Sequence, residues 1–319
     1  MPANEPTSLF GYDIVSRLGQ GAGSTLYVVC KPDNAQLYVL KHVVKKTDKD
    51  IRFIEQLQNE FEISRHFRHP VLRKCVELKI NKRLLGGINE AGLVMELVDG
   101  TTLDQQPLLP IPKLIDVFTQ VAHAIFSMHH QRIIHCDLKP SNIIVCPDGS
   151  VKLIDFGQAC KSGTVKDRVQ GTPDFIAPEQ VRLKAVDQQT DIFNYGATLY
   201  WALTGVKIPT LFTVPKSEWS GLKEQKYPTP RDLNPAIPEP LSRLAMWCSK
   251  ISRGSRPADM DMVLKGLQTV KDNLQPEVVP QPSVEVEHPP EEAPPPAPTS
   301  RRRNFEIPQT IVRPSTEGS

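Results

Sequence analysis

Residues 134–157, IHCDLKPSNIIVCPDGSVKLIDFG, constrain the fold more than any other part of the chain. Two acids, Asp137 and Asp155, stand 18 positions apart in this stretch, each beside an apolar run. Between them lie two short apolar segments, 143–145 and 151–154, around Pro147-Asp148-Gly149-Ser150. That pattern predicts a loop, a β-hairpin with a tight turn, and a second loop. Such a hairpin holds both acids on one rim, facing one cavity. Lys139 and Asn142, within five residues of Asp137, point into the same space. Carboxylates, an amide and an ammonium converging in this way suit a phosphate-metal site. Magnesium takes hard oxygen ligands and keeps substrate phosphates among them. One acid can hold the metal while the other takes a proton from an attacking hydroxyl. The plainer reading is polar loop residues between core strands; two such segments at this spacing favour the site.

The chain before this stretch supplies a candidate partner for it. Residues 11–41 read as three strands, with turns at 19–24 and at Asp33-Asn34. The first turn, Gly19-Gln20-Gly21-Ala22-Gly23-Ser24, would let backbone amides approach phosphates closely, although an ordinary hairpin has the same composition. Lys41 closes the apolar strand Tyr38-Val39-Leu40. Residues 50–68 read as a helix with Ile54, Leu57 and Phe61 on its apolar face and Glu60 bordering it. Residues 93–100 read as a strand running into a turn. A second helix follows at 111–131, with Leu114, Val117, Val121, Ile125 and Met128 on one face. His123, His129 and His130 on this helix lack a completing carboxylate or cysteine, so they read as a solvated helix end rather than a metal site.

Several of these segments resemble the protein-kinase signatures. HCDLKPSN (135–142) stands where that family has H-R-D-L-x-x-x-N, and Asp155-Phe156-Gly157 is its D-F-G. Gly171-Thr172-Pro173-Asp174-Phe175-Ile176-Ala177-Pro178-Glu179 resembles its activation and substrate-binding segment, ending in A-P-E. The chain is identified as a member of the eukaryotic-type serine/threonine protein kinase family, in the plain style of a bacterial member. The resemblance covers about residues 10–270.

The fold implied by the resemblance is α+β and bilobal, with a β-rich N-lobe and a mainly helical C-lobe. The boundaries are a kinase domain at 10–272, divided into an N-lobe (about 10–95), a hinge (96–100) and a C-lobe (101–272). A disordered Pro-rich tail takes 273–319. ATP would lie between the lobes, with Leu18, Gly19, Gln20, Gly21, Ala22, Gly23 and Leu26 above it. Lys41 would bind the α- and β-phosphates and pair with Glu60, placed ten residues before Pro70; Glu62 is the rival for that partner. Met95 would be the gatekeeper, and backbone groups of Glu96 and Val98 would meet the adenine. The pocket walls would be Leu18, Leu26, Val39, Met95, Ile144 and Ile154. Asp137 would act as catalytic base, assisted by Lys139, with Mg2+ (or Mn2+ in its place) on Asn142 and Asp155. Thr172, Glu179, Asp191 and Arg256 would be structural: Asp191 braces the catalytic loop and Arg256 pairs with Glu179. Lys139 together with Thr172 is the serine/threonine style, so the substrates implied are protein hydroxyls.

Two departures stand out. The third glycine of G-x-G-x-x-G is Ser24, with Gly23 one place early, and Leu26 replaces the valine. Cys136 replaces the arginine that pairs with an activation-loop phosphate, and a thiol makes no charge-assisted pair of that kind. Phosphorylation at Ser162 or Thr164 is therefore not expected to be the main on-switch. Both departures suit a rival reading, a pseudokinase scaffold working through its tail. A small-molecule kinase is a further rival, against which the 171–179 segment speaks.

Composition bounds the rest. A net charge of +2 over 319 residues implies no nucleic-acid partner, and no apolar run reaches a membrane-spanning length, so no membrane partner is expected either. Six scattered cysteines without a C-x-x-C pair, and an N-terminus without a basic, apolar leader, suit reduced thiols and a cytoplasmic location. Residues 275–300 are rich in proline with no lysine or arginine, a composition that cannot bury enough to fold. The island at 301–313 is a candidate docking segment, with Thr310 a candidate phosphosite.

Overall fold

Alternating apolar residues make residues 12–44 an antiparallel meander, because one face of each strand has a core to meet. The computed structural model describes residues 6–274 apart from 22, 34, 83–86, 107 and 224. Contacts divide the chain after Pro276, so these residues belong to its first unit. Expectations for Ala22, Thr310 and the tail beyond Leu274 lie outside the described residues.

The strands β1 (Ser8–Leu9), β2 (Tyr12–Gly21), β3 (Ser24–Cys30), β4 (Leu37–Val44), β5 (Cys75–Lys82) and β6 (Ile88–Glu96) form one sheet in the order β1-β2-β3-β4-β6-β5. All its pairings are antiparallel. Helix α1 (Ile51–Arg65) crosses between β4 and β5 in sequence. Its buried residues are Ile54, Leu57, Glu60, Ile63 and Ser64. The expected face is thus corrected at one position: Phe61 is only partly buried, and Glu60 lies within the buried stripe. Val39, Val43, Leu93 and Met95 of the sheet pack with Ile54 and Leu57 as the core of this lobe.

The second lobe is mainly helical. It holds the short strands β7 (Thr101–Thr102), β8 (Ile133–Ile134), β9 (Ile143–Val145), β10 (Val151–Leu153) and β11 (Cys160–Lys161), of which β8 and β10 pack against α2 (Ile111–His130). The hairpin is β9–β10, with Val145 opposite Val151. Its turn is the expected one: Asp148 accepts from the Ser150 N–H and Gly149 has φ 83. Next come α3 (Pro178–Val181), α4 (Gln188–Thr204), α5 (Trp219–Lys223), α6 (Pro230–Leu233), α7 (Glu239–Cys248) and α8 (Met260–Leu274). Helix α4 starts at Asp187, whose side chain accepts from the Gln189 N–H, and stops at left-handed Gly205. It is buried almost all round, which is why its sequence lacks a polar face. Sequence periodicity assigned nothing between 206 and 256, where α5, α6 and α7 lie. Helix α8 also runs through Asn273 and Leu274, two residues given to the tail on composition. No described helix is long and apolar enough to cross a membrane.

Candidate active site

The site starts from backbone that the sequence bends sharply. Cys136 and Asp155 have φ 66 and φ 65, a region that costs energy for side chains other than glycine and often marks a working site. Asp191 at the head of α4 holds the first bend, accepting from the backbone N–H of His135 and of Cys136, each at 2.8 Å. His129 reaches the same carboxylate at 2.9 Å, with its side chain 6% exposed. The expectation of a solvated helix end is therefore corrected for His129, which is drawn inward by a buried charge.

The loop after Cys136 closes into a small network. Asp137 Oδ1 accepts from the Thr172 N–H and from the Thr172 hydroxyl, both at 2.8 Å. Lys139 Nζ lies 3.0 Å from Asp137 Oδ2 and donates to Thr172 Oγ1 at 2.8 Å. Asn142 donates its amide nitrogen to the Asp137 carbonyl at 2.9 Å, which leaves its amide oxygen as the free donor atom for a cation.

Across the cleft, Lys41 Nζ lies 2.8 Å from Glu60 Oε2 and 3.2 Å from Asp155 Oδ1. Glu60, not Glu62, is the partner of Lys41; Glu62 is exposed and faces Arg65. Burial works against the Lys41 charge, yet Asp155 and Glu60 together raise its pKa above the usual lysine value. Burial also works to raise that of Asp155. The Lys41 ammonium and the Gly157 N–H outweigh it and hold the carboxyl down to about 2. Glu60 moves the other way, upward, because burial outweighs Lys41 there. The Asp155 side chain is 41% exposed because a cavity opens above it.

That cavity measures about 680 Å3, within the range of small-molecule sites. It brings together Lys41, Glu60, Asp137, Lys139, Asn142 and Asp155, with Met95, Leu26 and Ile154 as apolar wall. Gly19, Gln20 and Gly21 cover it. Gly23 does not line it: it has φ 79, and a Cβ there would sit about 2.5 Å from the Phe53 ring of α1. The departure from the glycine pattern thus has a packing cause, since both the turn and Phe53 need glycine at 23. Five other expected residues also stand off this cavity. Leu18 lies at a register shift between Arg17 and Gly19 and is 54% exposed. Val39 is held in the core of the sheet, and Ile144 packs against Gly100. Val98 and Glu96 are not among its lining residues. The Glu96 N–H donates to the Lys74 carbonyl at 3.0 Å. The Glu96 carbonyl accepts from Nε and Nη2 of Arg73 at 3.3 and 3.2 Å.

Arg73 is a cavity-lining residue that sequence reasoning missed. The only available signal was a cation directly after the apolar pair Val71-Leu72. Cys160 was missed as well: its Sγ lies 3.7 Å from that of Cys136. Cys136, Ile134 and Val186 form a buried apolar cluster with Cys160 packed on it, where the resemblance calls for a cation. Further out, Arg256 grips Glu179 with two hydrogen bonds of 2.9 and 3.1 Å, and both side chains are essentially sealed from water.

These features define a class: a bilobal α+β domain whose interlobe cleft carries paired carboxylates, two lysines and an amide oxygen. Residues 12–265 match the protein kinase domain family, and the chain belongs to that family. A probable serine/threonine-protein kinase of Clostridium acetobutylicum is 28% identical over 274 residues, 82% of this chain and 40% of that protein. A DNA damage-responsive serine/threonine-protein kinase of Deinococcus radiodurans is 27% identical over 277 residues, 81% of this chain and 39% of that protein. A serine/threonine-protein kinase of Arabidopsis thaliana is 31% identical over 202 residues, 61% of this chain and 15% of that protein. The chain thus spans about two fifths, or less, of the length of these relatives.

Proposed function

We propose that this chain is a serine/threonine protein kinase that moves the γ-phosphoryl group of ATP to protein hydroxyls. The observation that carries the reading is the single cavity shared by Asp137, Lys139, Asn142, Asp155 and Lys41. Its donor set fits a magnesium ion. Asp155 offers an exposed carboxylate kept ionised, and Asn142 offers the oxygen of an amide whose nitrogen is already used. When bound, the metal neutralises phosphate charge as it builds up in transfer.

The protein's own residues do the rest. Lys41, steadied by Glu60, binds the phosphates from the N-lobe side, and Lys139 does so from the catalytic loop. Asp137, oriented by Thr172, positions the acceptor hydroxyl and takes its proton. In this chemistry positioning and electrostatics supply most of the rate. Cys136, set in an apolar cluster, supports activity without an activation-loop phosphate, because its thiol cannot make the charge-assisted pair that an arginine at this position would make. A signalling role in the cytoplasm is the setting that suits this reading.

The test is phosphate transfer from labelled ATP with magnesium, comparing the natural protein with Asp155→Asn. Incorporation by the natural protein alone supports the reading. ATP binding without transfer in both would put the pseudokinase scaffold in its place.

A further inference from the structure

The catalytic machinery makes no use of the two facing thiols beside it. Strands β8 and β11 pair antiparallel, with Cys160 opposite Ile134. Cys136, two residues past Ile134, reaches back over that pairing, and the two sulfurs end 3.7 Å apart. A disulfide needs about 2.05 Å, so closure asks for a movement of about 1.6 Å. The backbone of Cys136 is clamped on both sides: Asp191 accepts from its N–H at 2.8 Å, and Gln180 donates to its carbonyl at 2.7 Å. The movement therefore falls on Cys160, which opens β11 at the start of the activation segment.

The two thiols are unequal. Cys136 is 1% exposed, while Cys160 lines a surface cleft of about 210 Å3 together with Lys166, Arg168 and Arg52. The facing Cys136 thiol, the Lys166 charge and Thr164 lower the Cys160 pKa against the effect of burial. The contact with Cys160 and burial raise that of Cys136. The thiolate is the reactive form, so Cys160 is the group that meets an oxidant first.

We propose that Cys136 and Cys160 are a modification site, at which a peroxide oxidises the pair to a reversible disulfide joining the catalytic loop to the activation segment. In the first step the Cys160 thiolate attacks the peroxide O–O bond. An S–O bond forms and hydroxide leaves, so sulfur is oxidised and peroxide reduced. In the second step the Cys136 sulfur attacks the Cys160 sulfenic acid. The S–S bond forms, the S–O bond breaks, and the departing hydroxide takes up the Cys136 proton as water. A small thiol reverses the change by exchange.

The experiment treats the folded, full-length protein with hydrogen peroxide, blocks remaining thiols, and maps tryptic peptides by mass spectrometry without reduction. Cys136 and Cys146 fall on one tryptic peptide, because Lys139 precedes a proline; Cys146→Ser is therefore the background used. The expected result is a Cys136–Cys160 link that dithiothreitol removes and that fails to form selectively in urea. In Cys136→Ser, Cys160 should stop at sulfenic acid and be trapped by dimedone; in Cys160→Ser, Cys136 should stay unmodified. Oxidation of Cys160 to sulfinic acid with no link in the protein that retains Cys136 would overturn the proposal. So would a link that forms equally in urea, or rapid oxidation of Cys136 in Cys160→Ser. If either serine variant fails to fold, the map of the Cys146→Ser background still decides.

Discussion

Two buried ion-pair clusters in this protein are built from the same chemistry and do different things. Lys41, Glu60 and Asp155 meet beneath an open cavity, and Asp155 keeps 41% of its side chain exposed. Arg256 and Glu179 meet where both side chains are sealed, 0% and 2% exposed, and further hydrogen bonds to the Gln189, Lys250 and Ile251 carbonyls saturate the guanidinium. The first cluster has charge left over for a ligand; the second has none. The difference teaches that buried charge signals chemistry only when part of its hydrogen-bonding capacity still faces a space. A sealed pair with every donor used serves the fold.

Mutation should split the two clusters cleanly. Asp155→Asn should reduce phosphate transfer by at least about a hundredfold, the order seen when one electrostatic group leaves a preorganised site. Thermal unfolding of the same variant should change little, because the cavity already hydrates that side chain. Arg256→Ala should do the reverse and leave Glu179 buried without a partner. Unpairing a buried ion pair costs about 3–5 kcal/mol, which calorimetry or denaturant unfolding would register as a large drop in stability. A variant of either kind that behaved like the other would break the comparison.

Acid sharpens it further. Asp155 has a folded pKa held down to about 2, against about 3.9 for an unfolded aspartate. A depressed carboxyl contributes stability that is present above the unfolded value and lost as pH falls through the folded one. The natural protein should therefore lose an increment of stability between about pH 4 and pH 2, and Asp155→Asn should lack that increment. Solvent screening at the exposed carboxylate keeps the effect small. Denaturant midpoints at stepped pH would show it. The smallest expected effect belongs to the activation segment. Ser162→Ala with Thr164→Ala should leave transfer within about twofold, because the buried Cys136 thiol makes no charge-assisted pair that would carry a loop phosphate's effect to the catalytic loop.

Much of this was legible from the sequence because it rests on local pattern. Period-two and period-three-to-four alternation marked β2, β3, β4, α1 and α2, and the turn chemistry of Pro147-Asp148-Gly149-Ser150 marked the hairpin. Spacing put Glu60 ahead of Glu62, and the distance of 2.8 Å to Lys41 is the same choice made by geometry. What stayed hidden depends on contacts across the chain. Phe53 lies 30 residues from Gly23, yet its ring is what makes a glycine necessary there. The partner of Cys136 is 24 residues away and becomes visible only once β8 and β11 pair. Arg73 looks like a surface cation in sequence, but it is buried, and its Nε and Nη2 donate to the Glu96 carbonyl. Helices α5 and α6 were missed because segments of four or five residues carry little periodic signal, whereas α7 has an apolar face, Leu241, Leu244, Ala245 and Cys248, that was legible and overlooked. His129 was misplaced because its buried partner, Asp191, lies on another helix.

The most direct measurement is the initial rate of phosphate transfer to a protein acceptor by Ser162→Ala/Thr164→Ala protein stripped of phosphate beforehand. Asp137→Asn on the same background serves as the blank. A rate close to that of the natural protein, and absent in the blank, is the predicted result: the cleft is assembled for transfer without an activation-loop phosphate. A stripped protein that folds and binds ATP but transfers nothing, while the natural protein does, would contradict it.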